Sequence, residues 1–246
     1  MSKTAANSFH EYFDIVPATT DALKQAAYRL RYQIYCKEMR AWDLSDFPDG
    51  MERDEFDGIS DHYLVLHKKT GVYAAHTRLI LPDPADPRRP FPVEIHARIP
   101  PHNPLAGVAR EKIAEASRFC VCNAFKRRQD EYKLVAGIGN ILERHLFDQE
   151  QERRAYPHIM IALLNCLLRM SVARGITHWY AFMEPSLIRL LGILGLNFII
   201  IGPPAEHHGL RYPCCIGIAD LLAGAQKKSS EIFEFLAEGL GLENGL

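Results

Sequence analysis

Apolar and polar positions along the chain fall into runs with two different periods. Residues 10–18, Glu-Tyr-Phe-Asp-Ile-Val at their centre, read as a short strand. Thr20 or Asp21 can cap the helix that follows, whose apolar face is marked at helical spacing by Leu23, Ala26, Ala27, Leu30 and Ile34. Residues 61–81 read as a hairpin: Tyr63 to His67, a turn at Lys68-Lys-Thr-Gly71, then Val72 to Leu81. Residues 82–110 carry eight of the fifteen prolines and are expected to be irregular. The run Ile-Ala-Glu-Ala-Ser-Arg-Phe-Cys-Val-Cys, residues 113–122, predicts a strand with apolar or small residues on both faces.

The second half continues the alternation of element types. Pro157 can open a long helix that ends at Gly175. Residues 176–183 predict a strand, 185–194 a helix, 196–201 a strand and 211–219 a last strand, paired through the loop Pro203–Gly209. An acidic amphipathic helix over about 228–240 closes the chain. Between the 113–122 strand and the long helix, residues 123–154 are dense in charge and read as an insertion with a short helix at Leu134, Ile138, Ile141 and Leu142. Val135-Ala-Gly137-Ile-Gly139 has the glycines of a phosphate loop but does not directly follow a strand, and is discounted. The chain predicts one domain over 1–246, with this insertion and a C-terminal helical extension from about 220.

Composition narrows the class. With 246 residues, 48% of them hydrophobic, the chain can bury a full core. A net charge of −1 gives no general attraction to nucleic acid or anionic membrane. The N-terminus has no apolar core of a signal peptide, and the longest apolar run, Leu191 to Ile201, is too short to span a bilayer. A soluble, cytoplasmic protein without a transmembrane segment is expected. The six cysteines lack metal spacing and read as reduced core residues. His207-His208, in a Gly/Pro-flanked loop, reads as a solvated turn. No metal or cofactor is expected.

The chemistry concentrates at the 113–122 strand. Glu115, Ser117 and Arg118 sit inside an apolar run, where charge is costly unless partnered. By itself, Glu-x-x-Arg describes a buried ion pair that fixes register as well as it describes a site. Other residues join it in order along the chain: Arg31, Tyr35, Trp42, Asp54, Asp57 and Arg78.

The order of elements resembles the GNAT acyltransferase fold: α/β, with a central mixed, mostly antiparallel sheet flanked by helices. Glu184-Pro-Ser to Leu194-Gly195-Leu-Asn-Phe198 is similar to the penultimate helix-turn of those enzymes. The tyrosine that acetyl-CoA-dependent members use as a general acid is Leu191 here, which argues against an ordinary N-acetyltransferase. Arg31, Tyr35, Trp42, Asp54, Asp57, Arg78, Glu115, Ser117 and Arg118 resemble the ordered charged and aromatic pattern of the acyl-homoserine-lactone synthases. The longer chain and its second half look more like the long-chain N-acyl amino acid synthases and the PEP-CTERM/exosortase-associated acyltransferases.

That resemblance implies transfer of a fatty acyl group from an acyl-carrier protein thioester to the α-amine of an amino acid. The thioester would be a co-substrate, not a cofactor. Glu115 is the candidate base, because burial raises a carboxyl pKa. Ser117 would relay the proton or hold a water. Backbone amides at Phe119, Cys120 and Val121 are the expected oxyanion donors. Arg31, Arg78 and Arg118 balance Asp54, Asp57 and Glu115, or present one guanidinium to a substrate carboxylate. Tyr35 and Trp42 order the N-terminal loop or are core aromatics. The helix 157–174 lines an acyl tunnel or is plain core. Lys126-Arg127-Arg128 and Arg153-Arg154 are a docking patch for an acidic carrier or solvated loop charge. Alternatives are an acyl-homoserine-lactone synthase using S-adenosylmethionine, a CoA-dependent N-acetyltransferase, and a non-catalytic carrier-binding regulator.

Overall fold

A computed structural model of the chain describes residues 5–126 and 156–241. They form two compact units. The first holds the described residues of Met1–Arg53, His62–His76 and Phe119–Leu163; the second holds Asp54–Asp61, Thr77–Arg118 and the described residues of Leu164–Leu246.

In the first unit, helix α1 (Ala5–Tyr12) runs into strand β1 (Phe13–Pro17), so the predicted strand begins three residues late. β1 pairs antiparallel with β2 (Ser60–His67), from Phe13↔His67 to Pro17↔Tyr63. A turn at 68–71, with Gly71 at φ 68°, leads to β3 (Val72–Ile80). The positive φ explains glycine there, since a Cβ disfavours it. Helix α2 (Asp21–Tyr32) starts where the pattern predicts: Thr20 Oγ1 accepts the Leu23 N–H at 3.3 Å. Ala18, Ala27 and Leu64 form a buried cluster, with Leu23, Ala26 and Leu30 packed on it. α2 loosens into a π-helical stretch over Gln33–Glu38, which buries Ile34, Tyr35 and Cys36.

The second unit is built on the second half of β3, residues 113–118 of β4 (Ile113–Val121), β5 (His178–Met183), β8 (Leu210–Gly217) and the short edge strand β6 (Ile199–Ile200), in that order. A further short strand, β7 (Ala205–Glu206), pairs with β8 off this path. β4 runs parallel to β5, and β5 antiparallel to β8, so the sheet is mixed as expected. Phe56, Ile80, Phe91, Val93, Leu105, Ile113, Tyr180, Ile201 and Cys215 form one buried cluster. Three of these come from the proline-rich stretch, which is therefore part of the core. Pro92 opens a one-turn helix there, α3 (Pro92–His96), that periodicity did not reveal.

Four more described helices follow, after the short α4 (Asn123–Lys126) of the first unit. α5 (Tyr156–Arg174) is the predicted long helix; Ile159, Ile161, Leu163, Leu164, Leu167 and Leu168 are all buried. The Trp179 indole donates to Ser171 Oγ at 2.8 Å, anchoring β5 to α5. α6 (Pro185–Ile193) contains the buried Leu191. The C-terminal region differs from the prediction. The last strand stops at Gly217, and two helices replace the single one: α7 (Ile218–Lys228) and α8 (Ser230–Ala237). Ser229 separates them and caps α8. Leu221, Leu222 and Ala225 face the core of α7, a helical spacing hidden behind an apolar strand. All six cysteines are free, as the spacing predicts. Among the described residues no helix is long and apolar enough to cross a membrane.

Gly195 ends the turn after α6 at φ 85°, and a Cβ on it would meet Gly224 O at 2.6 Å and Lys228 Cβ at 2.7 Å. A Cβ on Gly224 would run into the Gly195 carbonyl. Alanine for a mid-helix glycine normally stabilises by about 1 kcal/mol. Here Gly224→Ala is expected to destabilise by about 1–3 kcal/mol, the scale of overpacking. A denaturant melt that shows stabilisation would contradict this contact.

Candidate active site

Residues 54–57 close a tight turn on themselves. The Asp54 N–H donates to Asp57 Oδ2 at 2.8 Å, and the Phe56 N–H donates to Asp54 Oδ1 at 2.9 Å. The Asp-x-x-Asp spacing is what this turn needs, because each carboxylate satisfies a backbone donor a few residues away. Both carboxylates then face Arg78 of β3, which has no solvent exposure. Arg78 Nη1 donates to Asp54 Oδ1 at 2.6 Å and to Asp57 Oδ1 at 2.8 Å. Its Nη2 donates to Asp54 Oδ2 at 2.9 Å and to Ser117 Oγ at 3.2 Å. Arg118 Nη2 adds a second cation on Asp54 Oδ2 at 2.9 Å. Burial alone would raise the Asp54 pKa, but the charges of Arg78 and then Arg118 outweigh it, so Asp54 lies below the ordinary carboxylate range.

The pairing of β4 with β5 ends at Ala116↔Ala181, although both strands continue. Ser117 and Arg118 follow immediately. Arg118 is one of three non-glycine residues with positive φ among the described residues, at 50°. Such a backbone costs on the order of 1–3 kcal/mol and is held by its surroundings, here the ion pair with Asp54. The cluster therefore lies where the sheet opens.

Glu115 is buried and one residue short of that opening. Its Oε2 accepts the Val93 N–H at 2.8 Å. Burial pushes its pKa up to about 7 against the opposing Val93 bond and the charges of Arg78 and Arg118. The strand's two charged residues thus take different partners: Glu115 bonds a backbone amide, and Arg118 bonds Asp54.

The structure brings together Asp54, Asp57, Arg78, Ser117 and Arg118, with Glu115 alongside, all within the second unit. Arg31, Tyr35 and Trp42 belong to the first unit. There Arg31 pairs with Glu52, and both are buried. Tyr35 meets Trp42 edge-on at 4.7 Å, beside Ile34 and Cys120. Within the first unit Arg31 has Glu52 as a partner, which the expected balance of three arginines against three carboxylates did not include. Phe119, Cys120 and Val121 also belong to the first unit, and the next amide, Cys122 N–H, bonds Ala74 O at 2.9 Å. Lys126 ends α4; Arg127, Arg128, Arg153, Arg154 and the glycines at 137 and 139 lie outside the described residues.

His207 corrects the reading of its loop. It is half-buried, stacked on His96 at 4.1 Å and near Phe182 at 5.8 Å. Burial, then the nearby His96, His208, Arg211 and Arg118, lower its pKa to about 4. It is a neutral imidazole at physiological pH. Among the described residues, no group of three or more His, Cys, Asp or Glu side chains is arranged to hold a metal.

Residues 30–136 match the family model of the acetyltransferase (GNAT) domain. The chain has the GNAT fold. Among solved structures, it is similar to the AHL synthase LasI, with 16% identity, a TM-score of 0.57 and coverage of 95% of this chain and 99% of that one. It is also similar to BjaI, a CoA-dependent acyl-homoserine lactone synthase solved with SAM and isopentyl-CoA: 19% identity, TM-score 0.55, coverage 95% and 90%. FeeM, an N-acyl amino acid synthase from uncultured soil microbes, gives 12% identity, TM-score 0.50 and coverage of 86% and 93%. A comparison with curated protein sequences finds no match.

Two stability predictions follow from the burial of these charges. Arg78→Ala removes the buried cation shared by Asp54 and Asp57 and is expected to cost about 3–5 kcal/mol. Arg118→Ala should cost clearly less, because its side chain is 16% exposed and Asp54 keeps Arg78. Denaturant midpoints that rank the two the other way would refute this assignment.

Glu115 makes the opposite kind of contribution. Its folded pKa lies above the ordinary 4.5, so the stability it contributes is full below pH 4.5 and is lost as pH rises to about 7. Glu115→Gln keeps an acceptor for Val93 and does not titrate. It should be more stable than wild type at pH 8 by up to about 3 kcal/mol, and this difference should shrink toward pH 4.5. A mutant that loses stability at pH 8 would contradict the burial of an ionisable carboxyl here.

Proposed function

We propose that the protein is an N-acyltransferase that moves a long-chain fatty acyl group from an acyl-carrier protein thioester to the α-amine of an amino acid. The observation that carries this reading is Glu115: a buried carboxyl with a pKa near 7, next to a neutralised ion cluster where β4 leaves β5. An α-amine has a pKa of about 8 and is mostly protonated at neutral pH, so it needs a base matched to that range. The GNAT fold and the likeness to acyl-homoserine-lactone and N-acyl amino acid synthases support acyl transfer as the chemistry.

In this mechanism Glu115 takes a proton from the amine, directly or through a water held at Ser117. The amine attacks the thioester carbonyl, the C–N bond forms, and the tetrahedral intermediate collapses with cleavage of the C–S bond. The proton on Glu115 goes to the departing thiolate. Arg78 holds Asp54, Asp57 and Ser117 in place; Arg118, the more exposed guanidinium, is the one that can turn to a substrate carboxylate. Leu191 offers no hydroxyl as general acid, which leaves proton return to Glu115.

A second reading is an acyl-homoserine-lactone synthase using S-adenosylmethionine. It is favoured by the TM-scores of 0.57 and 0.55 to such enzymes, against 0.50 to FeeM. Purified protein, supplied with one acyl chain on carrier protein or on CoA and with either an amino acid or S-adenosylmethionine, separates the possibilities. The proposal expects kcat/KM to be highest with acyl-carrier protein and an amino acid, with KM for the carrier rising with salt, because exposed charges are screened beyond about 8–10 Å. It also expects Glu115→Gln to lower turnover at pH 7 by about 10²-fold. Equal kcat/KM for the two donors with no salt effect would remove the carrier. Turnover with S-adenosylmethionine alone would establish the second reading.

A further inference from the structure

The Glu115 carboxylate is held by an element outside its own strand. The Val93 N–H that it accepts belongs to α3, which follows the proline-rich stretch 82–91. Two side chains fix that amide in space. Glu94 Oε2 accepts the Phe91 N–H at 2.8 Å, while the Glu94 N–H returns to Phe91 O at 2.9 Å, closing the turn that carries Val93. Arg110 then grips the same carboxylate with both arms, Nη1 to Oε1 at 2.8 Å and Nη2 to Oε2 at 2.7 Å. Its Nη2 also donates to Arg89 O at 2.7 Å, and its guanidinium lies 4.0 Å over the Phe91 ring. One side chain thus ties residues 89, 91 and 94 to a point five residues before Glu115. A bidentate arginine stacked on an aromatic is a rigid tie that lysine cannot reproduce.

We propose that Glu94 and Arg110 are positioning residues for the Glu115 carboxylate: together they hold the Val93 N–H against it and keep a second negative charge beside it neutralised. The proposal deepens the reading of Glu115 as the base and rests on that reading for its functional meaning. Among the described residues, charged groups act on Glu115 from three elements. Arg78 comes from β3, Arg118 from β4 itself and Glu94 from α3. Tyr180 lies opposite on β5, its phenol pushed up to about 12 by burial and so neutral, and Arg110 acts on this set through Glu94. In that set Glu94 bears on Glu115 as a negative charge, and Arg110 bears on it by pairing with Glu94.

Removing either half therefore gives opposite signs. Arg110→Met leaves Glu94 negative and frees the turn, and both effects disfavour an ionised Glu115. Glu94→Gln removes the negative charge, leaves Arg110 uncompensated and keeps an oxygen for the Phe91 N–H, which favours ionisation. The test is the titration of Glu115 itself by carboxyl ¹³C NMR of the full chain, the resonance assigned by its loss in Glu115→Gln. The midpoint should rise by about half a pH unit or more in Arg110→Met and fall in Glu94→Gln, with Arg110→Lys between wild type and Arg110→Met. Midpoints that do not move, or that move in one direction for both members of the pair, overturn the proposal and leave the pair a plain structural tie. If Arg110→Met does not fold, Glu94→Gln decides alone: an unmoved or raised midpoint overturns it. The acid limb of kcat/KM should follow the NMR midpoint across the variants. A midpoint that moves as expected while the rate profile stays fixed would keep the positioning role and refute Glu115 as the base.

Discussion

A guanidinium without solvent exposure organises the second unit. Arg78 sits in β3 and makes four hydrogen bonds, to both carboxylates of the 54–57 turn and to Ser117 of β4. Taking such a charge out of water costs several kcal/mol, so the arrangement exists only because its partners are themselves fixed. The turn supplies that fixity, since Asp54 and Asp57 already bond backbone amides within it. Loop, β3 and β4 are thereby tied at one point, next to the place where β4 parts from β5. Bonding of this kind gives geometry more than net stability, which is what a site at a sheet opening requires.

The two acidic groups nearest Arg78 end with opposite character for a simple reason. Asp54 is gripped by two arginines and is held ionised. Glu115 is deeper, its hydrogen bond is to a single neutral amide, and burial prevails over the more distant positive charges. Two carboxyls whose surroundings push them apart divide into a structural anion and a carboxyl that titrates near neutral pH. His207 repeats the logic with a base: burial and surrounding cations keep it neutral.

Much of the site was legible in the sequence because its members are charged residues in apolar or turn contexts. Asp54, Asp57, Arg78, Ser117 and Arg118 stand out by spacing and converge in the structure. Glu115 stands out too, but a sequence does not reveal that Val93 brings a backbone donor to it. Backbone amides carry no residue signature, and this one lies in a stretch whose prolines suggested only irregularity. Glu52 does not stand out in the sequence, since its partner Arg31 is twenty-one residues away. The helix at Ile218–Lys228 was hidden because Cys-Cys-Ile-Gly-Ile-Ala continues the apolar strand before it without a break.

The proposed reaction requires the Glu115 carboxylate to drive acylation of an amine. Mass spectrometry of the lipids of cells expressing wild type or Glu115→Gln, at matched levels of folded protein, tests it most directly. New N-acyl amino acids are expected in the wild-type extract and should be largely absent from the mutant. Equal amounts of such products from both proteins, or no acyl amide from wild type, would contradict it.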